Sequence, residues 1–89
     1  MATVYIPALL RELVGRDQVE VEGATVRQVI ENLDRLHPGV RERLIDGSRL
    51  RTNVSVAVDG EMTPLGLLAE VEPQSEVHFV QAISGGVAR

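Results

Sequence analysis

This 89-residue chain has two histidines, no cysteine and no lysine, and that limits its side-chain chemistry. Without cysteine there is no disulfide, no thiolate metal site and no thiol nucleophile. Without lysine there is no side-chain amine for a Schiff base or an isopeptide bond. His37 stands beside Pro38 where a helix should end, which suits a helix-terminal role. His78 alternates with Val77 and Phe79 and has no second ligand spaced near it, so a solvent or interface position is expected over metal binding. Neither Ser75 nor Ser84 belongs to a Ser-His-Asp pattern. Arg41, Arg43, Arg49 and Arg51 cluster, but Glu42 and Asp46 dilute them. They read first as a solvated face and second as a docking site. The stretch that stands out is Ile83-Ser84-Gly85-Gly86-Val87-Ala88-Arg89. Adjacent glycines pack nothing and lose much backbone entropy if ordered. The stretch is either a frayed end or a thin arm made to enter a narrow slot on another protein.

That arm needs a body to carry it. At this length one domain is expected, a body over residues 1–83 with a tail over 84–89. Hydrophobic residues make up 44% of the chain, with one Phe, one Tyr and no Trp, so aliphatic side chains must fill the core. The net charge of −4 disfavours nucleic acid, which requires clustered positive charge, and suits a partner with a basic face. No apolar run approaches a membrane span, and the first residues do not form a secretory signal. A cytoplasmic location is the expectation.

Thr3 to Ala8 alternates like a strand that ends at Pro7. Leu9, Leu10 and Leu13 suggest a single helical turn, and Gln18 to Glu22 alternates again. Thr25 and Gln28 form a capping-box pattern. Val26, Val29, Ile30, Leu33 and Leu36 make the apolar stripe of the main helix, which His37-Pro38-Gly39 stops. A short second helix is expected around Val40, Leu44 and Ile45. Asn53 to Val58 reads as a strand, Asp59-Gly60 as a hairpin turn, and Leu65, Leu67 and Leu68 as one helical turn. Val77 to Ala82 reads as the last strand. The order implies an α+β fold with one amphipathic helix on a mixed four- or five-stranded sheet. Strand order does not follow from the pattern.

Three stretches give the chain a family resemblance: Leu10-Arg11-Glu12-Leu13-Val14-Gly15, Asn53 through Gly60, and Glu76 through Gly86. Together they resemble the ubiquitin-like β-grasp sulfur carriers. That group includes the small subunit of molybdopterin synthase and the carriers of thiamin and cysteine biosynthesis. The resemblance implies a β-grasp fold and a role as carrier and substrate, not enzyme. It implies that the Gly86 carboxylate is adenylated by an E1-like activating enzyme. ATP is that partner's ligand, since this chain has no phosphate-binding glycine loop. A sulfurtransferase-like donor then converts the adenylate to a thiocarboxylate, and a downstream synthase accepts the sulfur. Ile83, Ser84 and Gly85 form the slender arm, which fully extended through Gly86 reaches about 13 Å.

The chain departs from ready-to-activate carriers at Val87-Ala88-Arg89, because the Gly86 carbonyl is tied up in an amide to Val87. Resemblance to carriers made as precursors implies a cut between Gly86 and Val87, with a JAMM-type protease as a plausible class. Phe79, Val80 and Leu65 are the candidate partner-docking residues. Two alternatives stay open: a ubiquitin-like protein modifier, and the small subunit of a molybdopterin-synthase-like complex.

Overall fold

The computed structural model describes residues 1–81. Strand β1 (Ala2–Tyr5) buries Ala2 and Val4 and turns Thr3 and Tyr5 to the other side. It ends before Pro7, which has no N–H to give a ladder and instead sits at the N-cap of helix α1 (Ala8–Val14). The expected single turn is a seven-residue helix, buried through Leu10 and Val14 and closed by Gly15 at φ 75°. That left-handed C-cap is cheap only for glycine. Strand β2 (Gln18–Val21) returns antiparallel to β1.

The main helix, α2 (Val26–Leu36), starts as its sequence demands. The Thr25 hydroxyl accepts from the Gln28 N–H at 3.2 Å, and the Gln28 side chain accepts from the Ala24 N–H at 2.8 Å. Val26, Val29, Ile30 and Leu33 are fully buried, each worth roughly 1.5–3 kcal/mol of transfer free energy. Leu36, expected to complete the stripe, is 61% exposed. The chain turns at His37-Pro38-Gly39, and helix α3 (Val40–Leu44) puts Val40 and Leu44 into the core beyond that point. The Asp34 carboxylate, still on α2, accepts from the N–H groups of Gly39 and Arg41. It thereby satisfies donors that the start of α3 leaves unpaired.

A small hairpin follows, β3 (Ile45–Asp46) with β4 (Arg49–Leu50). Then come β5 (Val54–Val58), β6 (Glu61–Met62), a 3₁₀ turn over Gly66–Leu68, and β7 (Glu76–Gln81). Asp59 and Gly60 both have positive φ, 53° and 86°, the two-residue turn that matches strand twist. The five-stranded sheet has the order β2-β1-β7-β5-β6. β1 and β7 are parallel; the other neighbours are antiparallel. This is the β-grasp arrangement, with α2 covering one face of a mixed sheet. The last strand in sequence is the middle strand in space. Among the described residues no helix is long and apolar enough to cross a membrane.

Candidate functional site

The expected arm and processing site, Ile83, Ser84, Gly85, Gly86 and Val87, lie outside the described residues, as does the boundary between body and tail. What is described is the root from which they follow. β7 pairs with β1 from Glu76 to His78 and with β5 from Val77 to Gln81. β1 stops at Tyr5, opposite His78, so among the described residues the last three of β7 are paired on one side only. Gln81 lies opposite Val54 at the start of β5.

Alternation along β7 separates the candidate docking residues. Phe79 points inward and is 5% exposed, a core residue. Its register partner Val56 is buried with it. Val80 points the other way and is 47% exposed. Leu65, also exposed, stands on the lip of a cleft beside β5. The three residues are therefore not one patch. Of them only Val80 belongs to the open face of the sheet.

That open face has a definite chemistry. Tyr5 and His78, register partners on β1 and β7, stack at 4.1 Å between ring centroids and 5° between planes. Ala57 lies opposite His78, and Met62, well exposed, lies opposite Ala57. With Val80 these residues form an apolar and aromatic strip on the side of the sheet away from α2. Glu20 and Glu76 both flank Thr3, across its two neighbouring strands, and make the other end of the face acidic. A surface that is apolar in the middle and polar at its border is the usual anatomy of an interface. Sequence reasoning placed His78 at a solvent or interface position and did not pair it with Tyr5. Alternation gives the face of each residue, while the stack depends on the parallel register of strands far apart in sequence.

Other singled-out residues have structural positions. His37 is the C-cap of α2, its N–H donating to the Leu33 carbonyl. The guanidinium of Arg43 donates to the Leu9 carbonyl, and that of Arg51 to the Glu42 carbonyl, so one of the clustered arginines ties α3 to α1 and another ties the segment after β4 to α3. Ser75 is buried and bonded to the hairpin turn. Its hydroxyl donates to Asp59 at 2.8 Å and accepts from the Glu72 N–H at 2.9 Å. The other Asp59 oxygen accepts from the Glu76 N–H. That bond, and then the one from Ser75, hold the Asp59 carboxyl below the usual carboxylate range, against a small opposing effect of desolvation.

The ThiS family model matches residues 4–86. The chain is 32% identical over 90 residues to sulfur carrier protein CysO of Mycobacterium tuberculosis, covering 94% of this chain and 97% of that one. Among solved structures, a chain of the Amycolatopsis orientalis BexX/CysO complex superposes with a TM-score of 0.90 at 34% identity, over 97% of this chain and all of that one. Small archaeal modifier protein 1 of Haloferax volcanii superposes with a TM-score of 0.75 at 26% identity, over 96% and 98%.

Proposed function

The chain belongs to the ThiS family, and from that premise we propose that it is a sulfur carrier whose reactive group is the carboxylate of Gly86. The observation that carries the reading is the reach of the family match, which spans the body and extends through Gly86. A carboxylate is a poor electrophile. An E1-like partner condenses it with ATP, releasing pyrophosphate and leaving an acyl-adenylate. Sulfur delivered at the sulfide level attacks that carbonyl and expels AMP, and the carbonyl carbon now bears sulfur in place of one oxygen. The body brings no cysteine to compete for the activated carbonyl.

The Gly86–Val87 amide must be opened first, because only a free carboxylate offers the anionic oxygen that attacks ATP to form the acyl-adenylate. Hydrolysis by a JAMM-type protease does this and releases Val87-Ala88-Arg89. The apolar strip around Val80 is the surface on which the activating partner rests while the arm enters its site. The BexX/CysO complex is a precedent for a fold-mate held by a second protein.

The experiment is an intact-mass measurement of the 89-residue protein after incubation with cell extract, ATP and a sulfur source. The expected product is the 86-residue chain carrying one sulfur in place of oxygen. Gly86→Ala should abolish that product while leaving the thermal unfolding midpoint unchanged. Persistence of the intact mass alongside an active pathway, or equal thiocarboxylation of the variant, rejects the assignment. The archaeal modifier likeness keeps a second reading in view, conjugation of the same arm to lysines of other proteins. Recovery of isopeptide-linked adducts would favour it.

A further inference from the structure

We propose that the open face of the sheet seats an arginine of a partner protein, gripped between Glu20 and Glu76 and laid against the Tyr5–His78 stack. This rests on the reading of that face as a docking surface and deepens it. It is tested without sulfur chemistry, so either reading can fail while the other stands.

The first observation is a face that the fold leaves bare. α1 packs on α3, α3 on α2, and α2 on the 3₁₀ turn, so the helices form one layer over the buried side of the sheet. Among the described residues no helix packs on the other side. Thr3, Tyr5 and His78 are only half-buried there, and Glu20, Glu76 and Val80 are exposed. Each of the two rings covers one face of the other and keeps a second, electron-rich face.

The second observation is charge. The five strands of the sheet carry three carboxylates, Glu20, Glu61 and Glu76, and no arginine, although the chain has nine arginines. Glu20 and Glu76 share the open face, one on each side of Thr3. Neither forms an ion pair within the described residues. β2 and β7 are two strand spacings apart, about 10 Å, so the two carboxylates stand over Thr3 with a gap between them. That gap suits a planar guanidinium, whose fork gives N–H groups to both sides at once. A lysine ammonium has no such fork. Among the described residues no three acidic or imidazole side chains converge on a metal position.

The third observation is what adjoins that gap. Tyr5 follows Thr3 by two residues and His78 follows Glu76 by two, so the stacked rings border the carboxylates on the side toward the arm. An arginine whose head sits between the carboxylates lays its stem on the rings and gains a cation–π contact. Beyond the rings the apolar strip continues to Val80. A partner that presents an arginine beside apolar residues therefore meets complementary groups along the whole face. With carboxylates at one end and Val80 at the other, the face also fixes which way round that partner lies relative to the root of the arm. Other occupants fit less well. A second copy applied through the same face brings carboxylates against carboxylates. Nucleic acid and anionic lipid are repelled. The chain's own Arg89 follows Gln81, which is roughly 17 Å from Glu76 along β7, and would have to double back over that length.

The test is selection of a phage-displayed library of random dodecapeptides on the full chain, with counter-selection on Val80→Glu to hold the search to the open face. The expected consensus sets an arginine beside apolar residues. The best binder is then synthesised and titrated by NMR. The chain has one tyrosine, so its ring signals report occupancy directly, and they should move together with those of Thr3 and His78. Glu20→Gln combined with Glu76→Gln should weaken binding about tenfold or more and remove most of its salt dependence. Lysine in place of the peptide's arginine should weaken it as well. Both glutamates are exposed, and melting curves check that the variant folds. No enrichment, a consensus without arginine, binding indifferent to the paired substitution, or fixed Tyr5 signals overturns the proposal. So do Tyr5 signals of the free chain that move on dilution or on removal of residues 82–89, which would mean that a second copy or the chain's own end holds the place.

Discussion

At the scale of single residues, the knot of Asp59, Ser75 and Glu76 is the device most exposed to test. Asp59 accepts two hydrogen bonds in its charged form, so its carboxyl titrates below its ordinary value of 3.8. A depressed folded value means the contribution is fully present above the unfolded value. It fades as the pH falls through the lower folded one. Asp59→Asn should therefore lose stability at neutral pH, and its unfolding midpoint should fall less steeply than that of the parent below about pH 4. Ser75→Ala removes a buried hydroxyl that both donates and accepts, and should cost about 1 kcal/mol in chemical denaturation. Asp59-Gly60 was readable as a turn because the signal is two adjacent residues. Its bond to Ser75 was not, because the partner lies 16 residues away and polar spacing carries no trace of it. The proposed reactive end shows the same contrast: Gly85-Gly86 is conspicuous in sequence, and its chemistry entered only through resemblance.

At the scale of elements, helix α2 is set by local rules and by one tight approach. A Cβ on Gly23 would lie 2.8 Å from both the Val29 backbone nitrogen and its Cγ2. Backbone cannot yield to that contact as a flexible side chain would. Gly23→Ala should cost about 1–3 kcal/mol by overpacking, read as a lowered melting temperature with arm chemistry intact below it. The helix start was legible in Thr25 and Gln28, and the buried stripe in Val26 through Leu33. Leu36 was misplaced because a helical wheel does not know where α3 takes over the core. α1 is longer than its three leucines suggested, since Pro7 and Gly15 bound it and the spacing between them decides its length. Strand periodicity identified β1, β2, β5 and β7 individually. Their order required pairings between residues such as Tyr5 and His78 that no local window contains.

At the scale of the whole molecule, the sheet has a buried face and an open face, and β7, the strand that leads to the arm, is its middle strand. The open face makes a prediction of its own. Val80→Glu places a charge in the apolar strip without disturbing the core. It should change stability by less than about 0.5 kcal/mol and reduce kcat/KM for adenylation of the 86-residue form about tenfold or more, as expected for a substitution at an interface centre.

The placement of β7 beside a parallel β1 has a mechanical consequence. The chain enters at one end of that pair and leaves at the other. A partner that tugs on the arm while the body is held near its first residues pulls along the strand axis. Every bond between β1 and β7 is then loaded together, in shear, and none can be peeled in turn. A carrier used as proposed would thus take traction beyond β7 while the body keeps its shape.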